Sequence, residues 1–295
     1  MFRRPESLGR MLWGLCALAA VTGGIGGLWA RQPEFARWMS FAYTSLNLMI
    51  AGAYVIAFFF CSKIQADYPA DSGMRFAWRL IAASSAFSVF RYVIEWIAVN
   101  WRGSIDPTLV SLRQIPIALA LILLTGGLVA MWTSFTAIGL GTRLRKLDLV
   151  GFAATAVCVP FVFSLREGMA DSHSGYAFIR HIQSASPVLL AAPALAALAL
   201  HRISHEMGDG TLAVSLRLLA VSLVMRLVAL WIGSSAMGRD AFYYALALAL
   251  YLAAPWIFVQ AIFQRWSLTV KATRLAERYK RDPEGEIAEL SRRLI

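Results

Sequence analysis

RLIAASSAFSVFRYVIEWIAVNW, residues 79–101, sets the reading of the whole chain. It is long and apolar enough to cross the roughly 30 Å of bilayer hydrocarbon, yet it holds Arg91 and Glu95 well inside the span. Four residues apart, the two side chains leave one face of a helix. A charge near mid-membrane costs about 3 kcal/mol on insertion scales, so that face must turn toward protein or a wet cavity. The text then returns downstream: RLIAAS at 79–84 as RLLAVS at 217–222, and RYVIEWI at 91–97 as RLVALWI at 226–232. Asp71 and Asp209 each stand eight residues before the matching arginine, and Lys63-Ile64 is echoed by Arg202-Ile203. The first match has an offset of 138 residues and the second 135, a slip of three.

Composition places this stretch in a membrane protein. Of 295 residues, 59% are hydrophobic. They lie in continuous blocks of a length that spans a bilayer, whereas a soluble domain breaks them into short periodic runs. Eight spans are predicted, at 11–30, 40–61, 76–99, 115–140, 149–165, 184–201, 212–236 and 242–263. The expected fold is all-α and polytopic, built as two parallel four-helix repeats. An offset of four spans preserves direction across the membrane, which relates the copies by an axis along the membrane normal. The predicted units are a first repeat at 1–141, a second at 142–266 and a basic helical tail at 267–295.

Net charge is +11, which raises nucleic acid as a partner. The basic residues instead gather at segment ends, as in GTRLRKLD and the tail, in the positive-inside pattern. This predicts both termini in the cytoplasm, a plasma (bacterial inner) membrane location, the lipid bilayer as partner and no nucleic acid. The three cysteines, Cys16, Cys61 and Cys158, fall within or at the edge of apolar segments and read as small buried hydrophobes. TGGIGG at 22–27 lies inside the first span and reads as a close helix contact.

The candidate site is the intramembrane set Arg91, Glu95 and Arg226, with Arg113 and Gln114 at the outer end of the fourth span. It reads either as a charge network that fixes how the two halves pack, or as a pocket whose surplus positive charge holds a small anionic ligand. His201 and His205, at i and i+4, share a helix face and are weak metal candidates; a zinc site needs further ligands. The absences are informative too. The four lysines, Lys63, Lys146, Lys271 and Lys280, fall at span ends or in the tail, which excludes a retinal Schiff base within a span. No mid-span histidine pair offers axial haem ligands, and no nucleotide, hydrolase or zincin motif occurs. No enzyme activity and no cofactor are expected.

After the last span, SLTVKATRLAERYK continues a helix; Asp282-Pro283-Glu284 reads as a break and restart. Leu275, Ile287, Leu290 and Leu294 are candidate docking residues for a partner helix, including a second copy in a homodimer. The closing AELSRRLI resembles the segment that leads into the phosphoacceptor helix of membrane sensor histidine kinases of the short-phosphoacceptor subfamily. The resemblance covers under a tenth of the chain and includes neither the phosphoacceptor His box nor the ATP-binding lobe. It implies a sensor part without a kinase core. A sensor or receptor module is therefore the expected function, with a transporter or a non-catalytic scaffold subunit as alternatives.

Overall fold

The computed structural model describes residues 5–29, 36–100, 114–141, 177–234 and 240–281. Seven helices run through them: α1 (Pro5–Trp29), α2 (Ala36–Ala66), α3 (Gly73–Asn100), α4 (Gln114–Ala137), α5 (Ala177–Glu206), α6 (Thr211–Ser234) and α7 (Ala241–Arg281). Six of them, α1 to α4, α6 and α7, are long and apolar enough over their described residues to cross a membrane. Helix is the economical answer for such segments, because it satisfies every backbone N–H and C=O within the segment where no water can. The protein is an all-α, multi-pass integral membrane protein. The span predicted at 149–165 lies outside the described residues.

The helices close a ring in the order α2, α3, α4, α5, α6, α7 and back to α2, with α1 outside it on α7. α7 is the hub. From Leu252 to Phe263 its side chains are almost all buried, on every side of the helix. The large apolar side chains left exposed, such as Phe58, Phe90, Ile122 and Trp231, suit a surface that meets acyl chains.

Small residues set the helix spacing, as lipid offers no hydrophobic drive for helices to associate. Gly23 and Gly27 lie one turn apart on α1. A Cβ on Gly23 would stand 2.8 Å from the Leu248 carbonyl oxygen, and one on Gly27 2.5 Å from Ala245 Cα. The TGGIGG run is thus the seam where α1 meets the backbone of α7. On α4, Gly127 has the same role; its Cβ would stand 2.8 Å from Ile81 Cγ1 and 3.0 Å from the Ala77 carbonyl oxygen.

Buried serines add directed links across the bundle. Ser84 on α3 donates to the Ala120 carbonyl of α4 at 2.7 Å. Ser222 on α6 donates to the Ala254 carbonyl of α7 at 2.8 Å, and Ser215 to Ala261 at 2.7 Å. The two matched sequence blocks therefore make the same kind of bond, each to the helix that follows.

Two predicted spans belong to longer helices. The sixth predicted span begins at 184, whereas α5 starts at Ala177. The helix of the eighth predicted span continues beyond 263, as SLTVKATRLAERYK predicts, and α7 runs unbroken to Arg281, through Pro255. Trp266 packs its ring 5.1 Å from Phe60 and 5.8 Å from Phe263. With the helix continuing past it and α2 alongside, the indole has protein to contact.

Candidate functional site

The arginines do come together. Arg91 of α3 and Arg226 of α6 line one internal cavity with Tyr54, Ser84, Ser88 and Ser222. Its volume is about 20 Å³, above the roughly 10–15 Å³ that a single water needs. Glu95, 4% exposed, lies beside Arg91, with 3.9 Å between Arg91 Nε and Glu95 Oε2. That separation is an ion pair beyond hydrogen-bond reach. Arg91 makes no hydrogen bond to another described residue, and its Nε is fully enclosed.

Three tyrosines complete the site, and none of them was singled out from the sequence. Arg226 Nη1 donates to the Tyr54 hydroxyl. The Tyr92 and Tyr251 hydroxyls share a hydrogen bond of 3.0 Å, linking α3 to α7. The Tyr54 and Tyr92 rings stack near-parallel with centroids 6.3 Å apart. The Arg91 guanidinium carbon lies 4.8 Å from the Tyr92 ring centre. That of Arg226 lies 5.9 Å from Tyr54 and 6.0 Å from Tyr251. Within about 6 Å, a ring face attracts a cation, more strongly once water is removed. Aromatic faces and one carboxylate thus offset two guanidiniums in low dielectric. With the carboxylate ionised, the set keeps one positive charge. A tyrosine in the middle of a span, away from the headgroup layer where the residue is usually found, was the available signal at Tyr54 and Tyr251.

The serine bonds offer one register in which to compare the two arginines. If the serine bonds set the register, Ser84 matches Ser222. Arg91 lies seven residues beyond its serine and Arg226 only four. The three-residue difference is about 4.5 Å along a helix. In this register Arg226 falls opposite Ser88, and both line the cavity.

The remaining candidates are placed as follows. Arg113 lies outside the described residues, as do Ile287, Leu290 and Leu294; Gln114 is the first residue of α4. Leu275 is exposed on α7. His201 and His205 face each other with 3.3 Å between their Nε2 atoms, and among the described residues no third His, Cys, Asp or Glu joins them. Glu206 instead accepts from the Gly141 backbone N–H at 2.7 Å, where the chain leaves α4. Gly141 has φ +71°, and a Cβ there would stand 2.6 Å from Ile203. Asp209 pairs with Arg217 at 3.1 Å. Its sequence echo does not follow: no Asp71–Arg79 pair forms, and Arg75 Nη1 instead donates to the Tyr68 carbonyl.

Compared with known proteins, the chain matches no family model, no curated protein and no solved structure.

Proposed function

We propose that this protein is the membrane module of a sensor, in which the state of the Arg91–Glu95–Arg226 site is passed to the cytoplasmic end of α7. The observation that carries this reading is the course of α7. Tyr251 bonds to Tyr92 within the site, and the same helix continues without a break to Arg281. Thirty residues of helix reach about 45 Å, so a turn or tilt at Tyr251 moves the far end as a rigid body.

In this reading eight spans form two parallel four-helix repeats, with both termini cytoplasmic. The ring order supports it. Exchanging α2, α3 and α4 for α5, α6 and α7 maps each described neighbour pair of the ring onto another. The paired serine bonds follow the same exchange, and the cavity lies between the pairs. A ligand that binds one packing of the halves better than the other shifts the balance between them. The surplus positive charge favours a small anion, and the AELSRRLI segment favours output through a dimeric helical partner of the histidine-kinase type.

The test uses the full chain in nanodiscs, spin-labelled at Leu275→Cys with native cysteines replaced, and reads the distance between the α7 ends of two copies. Arg226→Leu should shift that distance in a protein that still unfolds cooperatively. An unchanged distance in folded Arg226→Leu and Arg91→Leu proteins would sink the sensor reading. The central cavity also suits a carrier built of parallel repeats. A carrier would accumulate a small anion in sealed vesicles whether or not residues 275–295 are present, whereas a sensor would not.

A further inference from the structure

The cavity between Arg91 and Arg226 has a size and a lining that together choose among anions. At about 20 Å³ it exceeds the roughly 10–15 Å³ required by one water and holds one small sphere. A phosphate, a sulfate or a carboxylate, each with several heavy atoms, does not fit.

The lining presents donors. Ser88 is 7% exposed, lines the cavity and makes no hydrogen bond to a described residue, yet its Oγ is not fully enclosed. Of the Arg91 nitrogens only Nε is fully enclosed, so the two Nη atoms, equally unbonded, keep accessible surface. The Tyr54 hydroxyl accepts from Arg226, which leaves its own O–H to give. Helices α2, α3 and α6 thus each bring donors to one small space. Ser84 and Ser222 commit their O–H groups to Ala120 and Ala254 and add none. Among the described residues no Asp or Glu lines the cavity; Glu95 lies beside Arg91 but outside the lining.

Charge then separates an anion from water. Two arginines and one ionised glutamate leave one positive charge in low dielectric, where an uncompensated charge is expensive. A water satisfies the donors and not the charge. A single monovalent anion satisfies both.

We propose that this cavity binds one chloride ion, held by Arg91, Arg226, Tyr54 and Ser88. The proposal rests on the small-anion reading of this site and goes beyond it by limiting the ligand to a monatomic halide. Chloride there bridges α2, α3 and α6, and so favours the packing that brings the two arginines together.

The test uses the full chain, purified in detergent and sodium gluconate, with chloride added at constant ionic strength. Tm and the linewidth of the chloride NMR signal are read together. Chloride should raise Tm in a saturable way, because it binds the folded state, and its signal should broaden. Phosphate should not raise Tm. Ser88→Ala removes one hydrogen bond to the ion and should raise the apparent Kd by about tenfold or more. Arg226→Gln leaves a neutral Arg91–Glu95 pair, and its Tm should no longer respond to chloride. Lys63→Gln, at an exposed lysine elsewhere on α2, should respond as wild type does. The absence of a chloride response in the wild-type protein, or an equal response to phosphate, would overturn the proposal. A full response in folded Arg226→Gln would do the same. So would an undiminished response in Ser88→Ala, which decides the matter if Arg226→Gln does not fold. None of these results bears on the α7 distance measurement, which reads signalling where this experiment reads occupancy.

Discussion

Two helix pairs, α3 with α4 and α6 with α7, share a packing scheme and differ in chemistry. In both, a buried serine of the first helix bonds to an alanine carbonyl of the second. In both, a small residue of the second helix lies against the first, Gly127 beside Ala77 and Ala261 beside Ser215. The charges do not follow suit. α3 supplies Arg91, Tyr92 and Glu95, whereas α6 supplies Arg226 alone and relies on Tyr54 of α2 and Tyr251 of α7 to surround it. The lengths differ too: α4 has 24 residues and ends in a glycine turn, while α7 has 41. Contacts that hold a pair together need only small residues and a hydroxyl. The polar site and the long helix are where the pairs are free to specialise.

The largest expected effect is at Glu95. Replacing it with Leu leaves Arg91 buried without its counter-charge, and a broken buried pair costs about 3–5 kcal/mol. Thermal unfolding in detergent should show a greater loss of stability than any glycine or serine substitution in the bundle produces. A protein as stable as wild type would mean that the tyrosines alone offset both guanidiniums.

Next is a test of packing within the comparison. Gly127→Ala places a methyl 2.8 Å from Ile81 Cγ1, and overpacking of this kind costs about 1–3 kcal/mol. Ala261→Gly, the matching change in the other pair, removes a methyl without a clash and should cost less. Equal effects would break the proposed correspondence between the pairs.

Smaller still are the serine links. Ser84→Ala and Ser222→Ala should each cost about 1 kcal/mol, by the same unfolding measurement and by similar amounts. A difference well beyond that would show that one bond carries more than packing. At the bottom of the scale is Asp209→Asn. Its side chain is 97% exposed, and exposed ion pairs contribute little. No measurable change in Tm is expected.

How far the sequence could be read depends on the cost of each feature. Long apolar runs are legible because a bilayer demands them, and Arg91 and Glu95 are legible because charges inside a span are expensive. Tyr54 and Tyr251 are cheap to place in a span, so neither announces a role until the fold turns both toward Arg226. Register was the harder question. Aligning the matched blocks on their arginines puts Arg91 and Arg226 level, and aligning them on RLIAAS and RLLAVS does not. The bonds from Ser84 and Ser222 favour the second alignment, because hydroxyl-to-carbonyl bonds fix the height of one helix against the next. The Asp71–Arg79 echo is one of spacing alone: spacing along the chain does not say whether a surface aspartate turns toward its arginine.

The sequence alone determined that this chain is helical and multi-pass, since in hydrocarbon an apolar segment of such length must satisfy its backbone internally. It also determined that Arg91, Glu95 and Arg226 must be sheltered from lipid. Tertiary structure decided what shelters them: a cage of three tyrosines from α2, α3 and α7, around a cavity with room for little more than water. It decided, too, that α1 rests on α7 through two glycines. These are distances between segments far apart in the chain, and they follow from the packing of whole helices, which no local pattern encodes.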